Sequence, residues 1–344
     1  MSEFPVKERR YAMEDTYFSE YACKSLQTRG RQRAEQPCAM RTEFQRDRDR
    51  IIYSKAFLRL KNKTQVFFSP EGDHFRTRMT HTIDVSQIAR SIARSLSLNE
   101  DLAEAISLGH DLGHTPFGHA GERVLNALSP KGFAHNEQSL RVVDVLEKDG
   151  KGLNLTYEVR DGIVQHKKSG NPCTLEGKAV SLADRIAYVN HDIEDAIRAG
   201  LLRAEELPKE EIRILGSTSR DRINAMITSI YRTSVGKNQV LMGESEAQAL
   251  ESLRAFMFER VYITPVSMKE EERAKRMLTG MYEYFMKDAN KLPAFYRKLT
   301  EEYPLEQVVC DYLSSMTDKF AVAVFNSIFV PHSWALTEKD IEEI

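Results

Sequence analysis

The chain has 344 residues, a formal net charge of −2, 41% hydrophobic residues and 29% charged residues. That balance is globular, with length enough for a large core, and the near-zero charge excludes the overall basic field that drives bulk nucleic-acid binding. Cys23, Cys38, Cys173 and Cys310 form no CxxC pair, the N-terminus has no apolar leader, and no run approaches the roughly 18 apolar residues of a membrane span, so a cytoplasmic protein without a disulfide framework is expected.

In chain order, residues 1–40 are polar with little periodicity and read as a loosely ordered or partner-dependent lead segment. Twelve basic residues run from Lys24 to Lys63. They read as a solvated face, with phosphate binding by part of them as the alternative. A helix is predicted over 43–61, and "KTQVFFS" (63–69) is the one strand-like run, ending at Pro70 and Gly72. From there the pattern is helical. The stretch 77–96 sets Val85, Ile88, Ile92 and Leu96 at helical spacing, with His81 on the same inward stripe. Asn99 caps a predicted helix to about Leu112, with Leu102, Ala105 and Ile106 on its buried face. Gly113, Pro116 and Gly118 break the chain before a helix near Ala120, with Val124, Leu125 and Leu128 inward.

The stretch 175–199 carries two stripes. Leu182, Ile186, Val189, Ile193 and Ile197 are apolar, while Asp184, Tyr188, His191, Asp192 and Asp195 are polar. Taken alone, the polar stripe reads as a solvent face. Further helices fill 203–344, with breaks near Gly216, Gly236, Pro265, Pro293 and Pro304. The expected fold is all-α with at most a small β-hairpin, divided into the lead segment, a core over 41–200 and a helical region over 201–344 packed on it.

Five of the nine histidines lie between His81 and His135. His110 and Asp111 are adjacent where a helix gives way to a loop, so both heads can reach one ion. Such a nitrogen and oxygen set suits a hard or borderline divalent cation, completed by His81 from the preceding stripe and Asp184 from the later one. His119 and Glu122 sit three apart at a helix start. A carboxylate that orients an imidazole makes a proton-transfer unit near neutral pH. The bland alternative is a Glu122 that only complements the helix dipole.

The order His81, His110–Asp111, Asp184 resembles the H…HD…D signature of the HD superfamily. "RDRIIYSKAFLRLKNKTQVF", "RTRMTHTIDV", "HDLGHTPFGHAGE", "HNEQS", "LTYEVRDGI", "ADRIAYVNHDIED" and "VCDYLSSMTDKFA" are similar to the deoxyguanosine triphosphate triphosphohydrolase (dGTPase-like) family, from about Phe44 to Ala321. The resemblance implies one divalent metal (Mg, Mn, Co, Fe or Ni) on His81, His110, Asp111 and Asp184, with His119 and Glu122 as the catalytic pair. It implies substrate contacts from Arg78, His114, His135, Tyr188 and Asp192, and from Arg185 where some relatives carry lysine. It also implies hydrolysis of a deoxynucleoside triphosphate to deoxynucleoside and triphosphate, by a homo-oligomer with an effector nucleotide between subunits. Two alternatives stand beside it: an HD nucleotide phosphatase of other specificity, and a nucleotide sensor or single-strand nucleic-acid binder suggested by the basic residues of 24–63.

Overall fold

The computed structural model describes residues 6–65, 75–262 and 265–331. Among these residues the chain forms helices and no strand, with two isolated bridges, Arg31–Thr156 and Thr64–Thr77. Of the predicted strand, Thr64 contributes one of those bridges and 66–69 lie outside the described residues. No described helix is long and apolar enough to cross a membrane.

Polar caps set the helix starts. Thr42 opens α1 (Glu43–Ile52) with Gln45 in a capping box, and Thr77 opens α2 (Arg78–Ser95). Asn99 caps α3 (Glu100–Gly109) by accepting from the Asp101 and Leu102 amides. The remaining principal helices are α4 (Gly118–Leu128), α5 (His135–Arg141), α6 (Tyr157–Gln165), α7 (Leu175–Arg198), α8 (Ser219–Ser234), α9 (Glu244–Met257), α10 (Pro265–Lys287), α11 (Leu305–Ser315) and α12 (Asp318–Phe329). The helix predicted over 43–61 is interrupted after Ile52. Ser54 caps a new short helix by accepting from Phe57 N, and Glu147 takes the Ala56 amide at 2.7 Å. The apolar period carries no trace of that switch, because its cause is a distant carboxylate.

α2, α3 and α7 pack together around Val85, Ile92, Leu102, Ile106, Ile186 and Val189, all essentially inaccessible to water. Each such side chain contributes roughly 1.5–3 kcal/mol of transfer free energy. Residues beyond 200 do not form a separate body: Met226, Ile230, Leu250 and Leu253 extend this first core. A second cluster joins Leu278, Met281, Phe285, Val308, Val309 and Leu313 to Val124 and Leu125 of α4. The sequence division at 200 therefore falls inside one core.

Residues 6–40 of the lead segment are tied to the body of the protein. Val6–Tyr17 is helical, and Glu14 accepts the Ser25 amide at 2.7 Å and its hydroxyl at 2.6 Å. Arg31, 5% exposed, pairs with Glu43 at 2.8 Å and with buried Asp47, and donates to Asn154 O at 2.7 Å. Arg46 and Arg50 meet Glu35 at 3.0 and 2.6 Å, and Arg48 meets Glu104 at 3.3 Å. Much of the basic run is thus spent on internal carboxylates, which hold polar residues in place without an apolar period. This weakens the ground for a single-strand binder.

The VCDYLSSMTDKFA motif ties the two clusters together. Asp311 receives Arg141 at 2.7 Å and Gln138 at 2.9 Å. Buried Lys63 donates to Ser314 O at 2.7 Å and to His114 O. Asp318 accepts Phe117 N and Thr64 N, each at 2.9 Å. Phe117 needs such support, since its φ of 62° is left-handed and unfavourable for a bulky residue.

At Gly113 the loop after α3 touches the backbone of α5. A Cβ there would lie 2.2 Å from Ser139 N and 2.5 Å from His135 O, and neither atom can turn away. Gly113→Ala is expected to destabilise the protein by about 3 kcal/mol and to lower the melting temperature in a calorimetric scan. An unchanged melting temperature would refute this account of the loop.

Candidate active site

α3 ends at Gly109, so His110 and Asp111 leave the helix at its inner end. The His110 Nδ1–H donates to Ser107 O at 2.6 Å, which fixes the tautomer and leaves Nε2 as a lone pair. That Nε2 is buried and has no hydrogen-bond partner. His81 from α2 and Asp184 from α7 point at the same corner. His81 Nε2 lies 3.0 Å from Asp184 Oδ1, and His110 Nε2 lies 3.4 Å from Asp111 Oδ1 and 3.8 Å from Asp184 Oδ1. The four predicted ligands therefore converge.

Protonation suits a cation. Burial pulls the His81 imidazole down, towards neutrality. Burial pushes Asp111 up, but His110, His114 and Arg78 outweigh it and hold the carboxyl well below its usual range. Asp184 is likewise held low, by His81 and His110 against burial. Two imidazoles facing two ionised carboxylates, with one orphaned ring nitrogen, fit a divalent ion.

Beside this corner, His119 Nδ1 lies 3.0 Å from Glu122 Oε2. The other Glu122 oxygen accepts the His135 Nδ1–H at 2.8 Å and its amide at 2.9 Å. Burial raises Glu122, but the hydrogen bonds from His119 and His135 prevail and keep it ionised. His119 is half exposed at the mouth, while His114 stacks on His135 with ring centroids 4.0 Å apart. Glu122 thus does more than complement the helix dipole.

These groups open into a cleft of about 320 Å³. Arg78, His114, His135, Arg185 and Tyr188 line it as expected, although Arg78 is only 1% exposed and pairs with Asp111 at 2.8 Å. Arg185 leans towards Glu251, 3.5 Å away. Sequence reasoning missed His166, Lys167, Lys168 and Arg254 on the same walls. The first three stand together at the end of an apolar-periodic helix, which was the available signal; Arg254 sits on α9 with none.

Asp192 does not reach the cleft wall. It is buried below Tyr188, and its carboxyl takes the Tyr262 hydroxyl. The polar stripe of α7 is largely interior: His191 binds Asp84 at 2.9 Å and Asp195 accepts Arg76 N at 3.1 Å, while Ile197 at the apolar end is 38% exposed. Burial raises the Asp192 carboxyl from 3.8 to about 8 despite the Tyr262 hydrogen bond. Between those values the folded protein keeps a proton that the unfolded chain has released, so this group's contribution to stability falls as pH rises. Asp192→Asn is expected to lose less stability than wild type in urea melts compared at about pH 5 and about pH 8. Parallel losses in both proteins would show that Asp192 does not titrate in this window.

The HD domain family matches residues 78–189, and the phosphohydrolase-associated domain family matches residues 240–327. The helical fold and the H…HD…D corner define an HD-domain hydrolase. A deoxyguanosinetriphosphate triphosphohydrolase-like protein from Caldanaerobacter subterraneus subsp. tengcongensis is 55% identical over 329 residues, 96% of this chain and 97% of its own. Another of that description from Desulfatibacillum aliphaticivorans is 46% identical over 348 residues, 95% of this chain and 98% of its own. A phosphohydrolase from Bacteroides thetaiotaomicron VPI-5482 shares the fold, with TM-score 0.52 and 18% identity over 85% of this chain and 72% of that one. The chain belongs to the deoxyguanosinetriphosphate triphosphohydrolase-like family.

Proposed function

We propose that the cleft hydrolyses deoxynucleoside triphosphates, dGTP or several of them, at the α-phosphorus to give deoxynucleoside and inorganic triphosphate. The observation that carries this reading is the His119–Glu122 pair standing beside the four-ligand corner in one cationic cleft. A divalent ion held by His81, His110, Asp111 and Asp184 would supply charge neutralisation at a phosphate oxygen and a more acidic water. Arg185, Lys167, Lys168 and Arg254 bring positive charge to a polyphosphate. Glu251 already gathers Lys168 at 2.9 Å, Arg254 at 3.2 Å and Arg185 at 3.5 Å, and it yields them when a more highly charged anion arrives. His119, oriented by Glu122, delivers a proton to the departing 5′ oxygen. Tyr188 presents a ring and hydroxyl to the sugar. His114 and His135 stand between the corner and the His119–Glu122 pair, and Asp192 acts on the substrate through Tyr188.

The test is product chromatography with each deoxynucleoside triphosphate, singly and mixed, with Mg, Mn or Co. Triphosphate as the inorganic product supports the proposal; orthophosphate or pyrophosphate instead would favour another HD phosphatase. The homo-oligomer and effector nucleotide implied by the resemblance belong to the same proposal, and sedimentation with and without nucleotide checks them.

A further inference from the structure

α4 carries His119 as its second residue and Glu122 as its fifth, yet its start lacks the side-chain cap that opens α2 and α3. The capping position is Phe117, which offers no acceptor and holds a left-handed φ of 62°, followed by Gly118 at 55°. A bulky residue leaves that conformation unless its surroundings prevent it. Relaxing Phe117 to a negative φ would swing the first turn of α4, and His119 with it, while His110 and Asp111 stayed in place. Glu122 is tied to α5 through the His135 amide and ring, which fixes the helix one turn on but not at its start.

The restraint at the start comes from 201 residues further along the chain. Asp318 Oδ1 accepts the Phe117 amide at 2.9 Å, while Oδ2 accepts the Thr64 amide at 2.9 Å and the Thr64 hydroxyl. The neighbouring Lys63 side chain joins His114 O to Ser314 O. Asp318 is 6% exposed and Lys63 2%, so water hardly competes for these bonds. The loop between Asp111 and His119 is therefore held at His114 and at Phe117 by residues 314–318, once through Lys63 and once directly. Asp318 itself does not line the cleft.

We infer that Asp318 is a positioning residue: by keeping Phe117 left-handed it aims His119 at the four-ligand corner. An asparagine cannot take its place. All three groups facing the carboxylate donate, so a carboxamide NH₂ would confront an N–H. With the remaining oxygen turned to the two donors of Thr64, the amide released is that of Phe117.

The inference rests on the reading of His119 as the proton donor, and a double-mutant cycle on the full chain separates the two. Triphosphate release is followed with an equimolar mixture of the four deoxynucleoside triphosphates and Mn²⁺, and bound metal is counted by elemental analysis. Asp318→Asn is expected to lower kcat about 10–100-fold with KM and metal content near wild type. Where His119 is already alanine, it is expected to cost less than about 3-fold more, because a misplaced group that is absent cannot be missed. Thr64→Val takes a donor from the same carboxylate and leaves the Phe117 amide alone, so its kcat is expected to stay near wild type. The same fold-loss from Asp318→Asn with and without His119 would make Asp318 a structural residue only, overturning the inference and leaving the proton donor standing. Undiminished kcat in Asp318→Asn overturns it likewise. No loss in His119→Ala alone overturns the proton donor and the inference together. Should Asp318→Asn fail to fold, Asp318→Glu, which keeps both acceptors on a longer stem, enters the cycle with the same expectations.

Discussion

Asp111→Ala is expected to abolish metal uptake and to lower turnover at least about 10³-fold, the equivalent of about 4 kcal/mol of lost transition-state stabilisation. Asp111 is 3% exposed, and its carboxylate stands opposite His110 at 3.4 Å, His114 at 3.2 Å and Arg78 at 2.8 Å. Removing it takes away a cation ligand and strands the Arg78 guanidinium, 1% exposed, without its carboxylate. An unpaired buried charge costs about 3–5 kcal/mol, so a lower melting temperature accompanies the lost activity. Asp111→Asn keeps the shape and one acceptor for Arg78, so it should recover part of the stability and little of the turnover. Elemental analysis, a thermal melt and a triphosphate-release assay on both variants check this. Wild-type turnover in Asp111→Ala would remove the basis of the proposed function.

His119→Ala is expected to lower kcat by about 10²–10⁴-fold while metal content, KM and melting temperature stay near wild type. The side chain is half exposed and closes no part of either core, so its loss leaves the fold intact. Glu122→Gln should show a smaller loss in kcat together with lower stability, because Glu122 also receives the His135 amide and ring N–H. Single-turnover release of triphosphate measures the chemical step directly. Equal rates for wild type and His119→Ala would reassign the proton to another group.

The helices and the ligand corner were legible because each follows a local rule. Asn99 announced α3, and the stripe that His81 shares with Val85 and Ile92, all buried in the structure, announced α2. The His119–Glu122 spacing reads directly as one face of a helix start. What escaped depends on partners distant in sequence. Glu147 splits the helix over 43–61, Asp47 and Glu43 fasten Arg31, and Tyr262 claims Asp192. A polar stripe on α7 looks the same whether it meets water or other side chains. Arg254 enters the cleft from a helix whose sequence shows only an ordinary surface charge.

The buried amine of Lys63 sets a lower limit on how far the chain can be trimmed. A fragment stopping before α10 would lose Ser314 and Asp318, leaving that amine one acceptor short and freeing the Phe117 and Thr64 amides from theirs. It would also bare Val124, Leu125 and Phe133, whose cover comes from α10 and α11. The segment bearing the His81–His110–Asp111–Asp184 corner is therefore expected not to fold by itself. An excised version is expected to aggregate, because the second cluster is completed as late in the chain as α12, by Ala321 with Val324, Phe325 and Ile328 packed against it.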